Sequence, residues 1–408
     1  MKMASAKYPW MVVALLWGVA LLNYLDRQML STMKPAIMVD IPSLQSATQF
    51  GHLMAVFLWI YGWVSPVAGF IADRFSKKRI IVGSLFVWSA VTFTMGYATT
   101  FDQLYILRAM MGVSEALYIP AGLALIAEYH SDKSRSLAVG IHMTGLYMGQ
   151  ALGGFGATLA KDYSWNNVFQ VFGGVGVLYA IVLMFLLKDK KAATVELSDS
   201  ANQNKVSPLA TLRLLAGTFP YWILLFYFAI PSIPGWAIKN WLPTLIAENL
   251  NIEMAVAGPL STITIAASSF VGVIIGGVIS DRWIRKHNRG RIFTSTIGLA
   301  LTLPALMLIG LGTHVVHVVA AAICFGFGFG MFDANNMPIL CQLIPAQQRA
   351  TAYGFMNMVG VFAGAFITDF LGKSTDAGRL GIDFAFMAAI VLVALVLQLI
   401  FLKPRTTF

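Results

Sequence analysis

The sequence predicts an all-α protein that crosses a membrane twelve times, with its helices in two related six-helix bundles. Three observations carry this. The composition is too apolar for a water-soluble domain: 58% of the 408 residues are hydrophobic and 11% are charged, whereas a soluble domain carries about 25% charged residues. Mean hydropathy is +0.74. Apolar stretches recur at the length, about 20 residues, that takes a helix across the hydrocarbon layer. A short glycine, aspartate and arginine segment also occurs at the same place in each half.

The stretches fall at 8–33, 47–73, 79–99, 102–130, 134–160, 166–187, 218–247, 255–281, 291–312, 314–343, 347–372 and 381–402. The long polar stretch Lys188 to Leu215 separates the sixth from the seventh. The chain therefore divides into an N-terminal bundle, 1–187, a cytoplasmic linker, 188–217, and a C-terminal bundle, 218–408. With the N-terminus placed in the cytoplasm, that side receives Lys77, Lys78, Arg79, Arg282, Arg285, Lys286, Arg289 and Arg291 among many others. The opposite side holds only Lys34, Lys161, Lys373 and Arg379. This bias obeys the positive-inside rule with both termini cytoplasmic, as in an inner (plasma) membrane protein. It also accounts for the net charge of +10, so no nucleic-acid partner is implied. The first stretch is too long for the apolar core of a cleavable signal. Cys324 and Cys341 lie in apolar stretches and read as small core residues, not as a disulfide or metal framework.

The repeat is specific. Gly69-Phe-Ile-Ala-Asp73-Arg74 precedes a basic cluster after the second stretch, and Gly277-Val-Ile-Ser-Asp281-Arg282 precedes another after the eighth. A repeat at half-chain spacing marks a duplicated transporter fold. The glycines are expected to let two helices approach closely. Gly69, Asp73, Arg74, Asp281 and Arg282 then form a latch for one conformation rather than a substrate site.

Charge within the stretches is sparse, and charge at that depth is costly and usually functional. The first stretch contains Asn23-Tyr24-Leu25-Asp26-Arg27, and the fourth contains Arg108 and Glu115. Asp26 and Arg27 are consecutive, so they point about 100° apart on a helix and each needs a separate partner. Asn23 and Tyr24 share a face with Arg27. Arg108 and Glu115 lie about 10 Å apart along one helix face, a spacing that suits a proton route better than one ion pair. Snorkelling to water and a purely structural ion pair are the competing readings of these charges.

Lys239 stands in Pro234-Gly-Trp236-Ala-Ile-Lys239-Asn240-Trp241-Leu-Pro243, where the prolines and glycine are expected to break the seventh helix. Lys239 either snorkels or offers a second anion contact opposite Arg27. Asp333, Asn335 and Asn336 interrupt a glycine-rich run in the tenth stretch. Amides suit sugar hydroxyls because they donate and accept, though they also join helices. Gln150 and Asn357 carry the same two readings. His142 reads either as a proton relay or as a packed core histidine.

These features resemble the major facilitator superfamily across the whole chain, through the Gly69-to-Arg79 loop, its echo at Gly277, and Arg108-Ala-Met-Met-Gly112-Val-Ser-Glu115-Ala. The Asn23-to-Arg27 segment together with Arg108 and Glu115 is similar to the anion:cation symporter family, which includes galactonate and hexuronate transporters and sialin. That resemblance implies that Arg27 binds a substrate carboxylate and that Asp26 and Glu115 handle protons, with Arg108 in the same coupling group. It places Tyr24, Tyr61 and Asn357 around the substrate, with Gln150, Lys239 and Asn336 added from their position. The expected function is uptake of a small organic anion, a uronate, aldonate or sialic acid, by proton-driven symport and alternating access in a monomer surrounded by lipid. No cofactor is expected beyond the ion gradient, and sodium coupling stays open. A carrier of lysolipid-like cargo and a non-transporting sensor of a sugar acid are the alternatives. No nucleophile–base or metal-ligand constellation supports an enzyme.

Overall fold

A computed structural model describes residues 7–130, 132–189, 217, 219–344 and 349–402, with the backbone alone at 70, 73, 132, 133, 135, 136, 219, 220 and 349–351. The expected linker therefore lies almost wholly outside the described residues, as does the side chain of Asp73. In the first half the helices are α1 (Tyr8–Thr32), α2 (Lys34–Asp40), α3 (Ala47–Arg74), α4 (Lys77–Met95), α5 (Phe101–Ala116), α6 (Tyr118–Tyr129), α7 (Asp132–Gly153), α8 (Gly156–Tyr163) and α9 (Trp165–Leu186). The second half contains α10 (Phe219–Leu250), α11 (Met254–Trp283), α12 (Gly290–Leu311), α13 (Val315–Asp333), α14 (Asn336–Leu343), α15 (Arg349–Asp376) and α16 (Leu380–Phe401).

Eleven spans among the described residues are long and apolar enough to cross a membrane. The expected fifth span does not qualify, because α7 earns its place by packing. A Cβ on Gly145 would meet the Trp17 carbonyl oxygen at 2.7 Å and one on Gly153 the Leu25 carbonyl oxygen at 2.9 Å, while Gly149 abuts the Leu21 carbonyl. Three glycines four residues apart thus step along α1 four residues at a time, the small-residue contact of membrane helices. The span expected at 134–160 divides after Gly153 into α7 and α8.

The expected break in the seventh span is absent: α10 runs unbroken through Pro231, Pro234 and Pro243. Proline removes the donor for the carbonyl four residues back. For Pro243 that carbonyl belongs to Lys239, and Gln28 Nε2 donates to it at 3.0 Å from the other half. The fourth and tenth spans do break, at Leu117 and at Ala334–Asn335.

The halves close on each other at the end opposite the chain termini. There Asp376 caps the start of α3, accepting from Ala47 N and Thr48 N at 2.8 Å each. His52 pairs with Asp369, Lys161 Nζ with Glu253 Oε2 at 2.8 Å, and Thr262 Oγ1 donates to the Ala151 carbonyl at 3.1 Å. Toward the termini the halves splay. A Cβ on Gly69, Gly140, Gly277 or Gly354 would have no other atom within 4 Å. The close approach expected at Gly69 and Gly277 is therefore absent in this conformation, because both face open space. Asp281 meets Arg291 at 3.7 Å, a half-exposed contact at the head of α12, and Arg282 is exposed.

Candidate functional site

The buried charges of the first half form one cluster where α1, α3, α4 and α5 meet. Arg27 Nε donates to Glu115 Oε2 at 2.5 Å, and Asn23 Nδ2 donates to the same oxygen at 2.9 Å. Asn23 and Arg27 are four residues apart, so one face of α1 brings both to the acid. Glu115 is 0% exposed and Arg27 13%. The acid is thus enclosed, and the arginine alone of the pair has an accessible edge. The acid is therefore held from α1 rather than by Arg108 on its own helix.

Arg27 is also boxed by rings. Its Cζ lies 5.1 Å from the Tyr24 ring centroid, 4.7 Å from Phe57 and 5.0 Å from Tyr61. Desolvated cation–π contacts of this kind contribute about 2 kcal/mol. Arg108 shares the Phe57 ring, with its Cζ 4.5 Å away, and its Nη1 lies 3.0 Å from Met111 Sδ. Phe57 is held in position by Gly112, where a Cβ would meet the Phe57 carbonyl oxygen at 2.7 Å. Arg108, Gly112 and Glu115 therefore form one face of α5: a cation, a point of close approach and an acid. Asp26 is buried separately and accepts from Thr92 Oγ1 at 3.4 Å.

A cavity lies between the halves, lined by Tyr24, Tyr147, Gln150, Lys239, Ser269 and Asp333 on its polar side. Phe325 and Phe329 form an apolar wall, their rings stacked 5.6 Å apart. Tyr24 joins the two regions, since it lines the cavity and carries Arg27 on its ring. Lys239 faces the cavity rather than the outer surface, its Nζ 4.8 Å from the Trp236 ring and 5.9 Å from Tyr24.

The other expected residues fall as follows. Gln150 is on the cavity wall. Tyr61 is buried against Arg27. Asn336 is buried just behind the wall, where its Nδ2 donates to Asp333 Oδ1 at 3.2 Å. Asn357 is half-buried and is not part of the lining. His142 is buried beside Tyr118, ring centroids 6.0 Å apart, away from the cavity. Reading the sequence missed Phe57 and Tyr147. The available signal was helical spacing: Phe57 precedes Tyr61 by four residues, and Tyr147 precedes Gln150 by three.

Known proteins resemble the chain over nearly its whole length. The family model described as Major Facilitator Superfamily matches residues 16–368. The probable galactarate/D-glucarate transporter GarP of Escherichia coli (strain K12) is 24% identical over 400 residues, covering 86% of this chain and 84% of that protein. A gallate transporter of Pseudomonas putida is 27% identical over 420 residues, covering 93% and 88%. The crystal structure of a bacterial homologue of the human lysosomal transporter Spinster, in an inward-facing and unoccupied conformation, superposes with a TM-score of 0.83 at 17% identity, over 99% of this chain and 100% of that one.

Proposed function

Because the chain belongs to the Major Facilitator Superfamily, and so is a multi-pass membrane transporter with the twelve-helix fold of that superfamily, we propose that it carries out proton-coupled symport of a hydroxylated organic anion, a sugar acid. The observation that carries this reading is the Arg27–Glu115 pair, 2.5 Å long, with only its arginine accessible. A cargo carboxylate can reach the guanidinium and compete with Glu115 for it. A buried carboxylate that loses its cation in a low-dielectric site is stabilised by taking up a proton. Anion and proton then bind together, and the shared arginine supplies the coupling free energy. Tyr24, Tyr61, Gln150 and Lys239 hold the remainder of the cargo, and Asp26 and Arg108 complete the charge balance. Both termini lie in the cytoplasm, the cavity opens to that side, and the closed end faces outward. The named relatives that carry galactarate, D-glucarate and gallate support an organic-acid cargo.

The stacked Phe325 and Phe329 on the cavity wall favour a second reading, a carrier of amphipathic cargo. One experiment separates the two: uptake into proteoliposomes under an imposed pH gradient, with labelled D-glucuronate, D-galactonate, D-glucarate, N-acetylneuraminate, gallate and a lysophospholipid. The proposal expects concentrative uptake of a sugar acid that collapses when the pH gradient is dissipated. Uptake of the lysophospholipid alone, or accumulation that follows sodium and ignores pH, contradicts it.

A further inference from the structure

The halves share a second pattern, in the helix that carries each half's acid. The first half reads Gly112-Val-Ser-Glu115-Ala-Leu-Tyr-Ile-Pro120, and the second reads Gly330-Met-Phe-Asp333-Ala-Asn-Asn-Met-Pro338. In both, the acid follows the glycine by three, alanine follows the acid, and proline comes five after it. The physical consequences repeat as well. Proline gives no donor to the carbonyl four residues back, here Ala116 and Ala334. The helix stops at Ala116 in one half and at Asp333 in the other, and resumes at Tyr118 and Asn336. The glycine presses on the neighbouring helix in each half: a Cβ on Gly330 would meet Val273 N at 2.9 Å, as one on Gly112 would meet Phe57. Each acid ends up in the last turn of its helix, where the helix dipole disfavours negative charge. Helix chemistry gives no reason for an acid there.

The two acids differ in what they face. Glu115 is enclosed against Arg27. Asp333 is exposed on the cavity wall with Lys239, Gln150 and Tyr147. Its Oδ1 accepts from Asn336 Nδ2 at 3.2 Å, and among the described residues no cation lies within ion-pair distance of it. We propose that Asp333 is a hydroxyl-binding, specificity-determining residue, the second-half counterpart of Glu115 turned toward the cargo. Its carboxylate accepts hydroxyl protons from a polyhydroxylated anion, and Lys239 offsets the repulsion between the two negative groups. Such charge-assisted hydrogen bonds are about twice as strong as neutral ones. A site built to bond hydroxyls also rejects an analogue lacking them far more strongly than an apolar pocket rejects a misfit. Asn336 steers the carboxylate. The proposal rests on the sugar-acid reading above.

The test is equilibrium binding to the purified full chain of two probes with the same ring and carboxylate: D-glucuronate and tetrahydropyran-2-carboxylate, which has no hydroxyls. The parent should prefer glucuronate by about 100-fold, Asp333→Asn by about 10-fold, and Asp333→Ala hardly at all, with affinity for the bare ring acid unchanged throughout. A merely structural residue would weaken both probes equally, and that result overturns the proposal. So does an unchanged preference in Asp333→Asn, the variant that carries the test if Asp333→Ala does not fold. If the parent binds neither probe nor any sugar acid of the uptake panel, the sugar-acid reading fails and this proposal with it. If the parent binds glucuronate and Asp333→Asn keeps the full preference, this proposal alone fails.

Discussion

The two halves of the molecule treat buried charge in opposite ways. The first half packs Asp26, Arg27, Arg108 and Glu115 into one helix junction, with Phe57 shared between the two guanidiniums. The second half has one cation and one acid at its centre, Lys239 and Asp333, both on the cavity wall. Charges that satisfy one another inside a low-dielectric junction respond to the loss of any member. Charges facing a cavity are screened and free to meet cargo. On the proposed function, coupling falls to the first half and recognition of the cargo's body to the second.

Removing the arginine should have the largest effect. Truncating one partner of a buried, hydrogen-bonded charge pair between protein and ligand costs about 2–5 kcal/mol of binding, so Arg27→Ala should lower D-glucuronate affinity on the order of 100-fold in calorimetric titration. Normal binding by that variant would return the carboxylate to the second half. Glu115→Gln sharpens the comparison, because it keeps a hydrogen-bonding side chain and removes the titration. Counterflow should stay within about twofold of the parent while pH-driven accumulation disappears. A variant that still concentrates substrate would remove Glu115 from the coupling.

A smaller loss is expected from Phe57→Leu, which takes the shared ring from both guanidiniums. At about 2 kcal/mol for the desolvated contact to Arg27, anion affinity should fall roughly 30-fold and recover in Phe57→Tyr. Equal losses in the two variants would make Phe57 a packing residue only. The smallest effect belongs to the Lys161–Glu253 pair, fully solvent-facing at the closed end. Its own hydrogen bond lowers the Glu253 carboxyl below 4.5 and raises the Lys161 amine above 10.5. The lowered acid contributes above its ordinary value and is lost as pH falls through its folded value. The raised amine contributes below its ordinary value and is lost as pH rises through its folded value. The contribution of this pair should therefore be constant between about pH 6 and pH 9, and Lys161→Ala should leave the melting temperature nearly unmoved throughout that window. A clear drop would show that the closed end depends on surface charge.

Much of the fold could be read from the sequence because lipid imposes length and apolarity on every helix it touches. The exceptions are instructive. Helix α7 falls short on hydropathy because His142, Thr144, Gln150 and its glycines dilute the apolar residues, while the glycines pack it against α1. Pro243 does not break α10, and a glutamine from the other half takes the Lys239 carbonyl that it frees, a partner 211 residues away. The breaks at Leu117 and Ala334–Asn335 were written in Pro120 and Pro338, one turn past each acid. Within the candidate site, Arg27 and Glu115 stood out as rare charges, but their pairing spans 88 residues and follows from tertiary packing alone. Phe57 and Tyr147 were hidden because an aromatic ring facing a cation or a cavity and one facing lipid look the same in an apolar stretch.

The account stands or falls on whether the anion displaces Glu115 from Arg27 and so brings in a proton. Proton uptake by the purified protein in weakly buffered solution, recorded as D-glucuronate is added, measures this directly. The parent should take up about one proton per anion bound through this pair, and Glu115→Gln should bind the anion with that uptake gone. Undiminished proton uptake in Glu115→Gln would contradict the account.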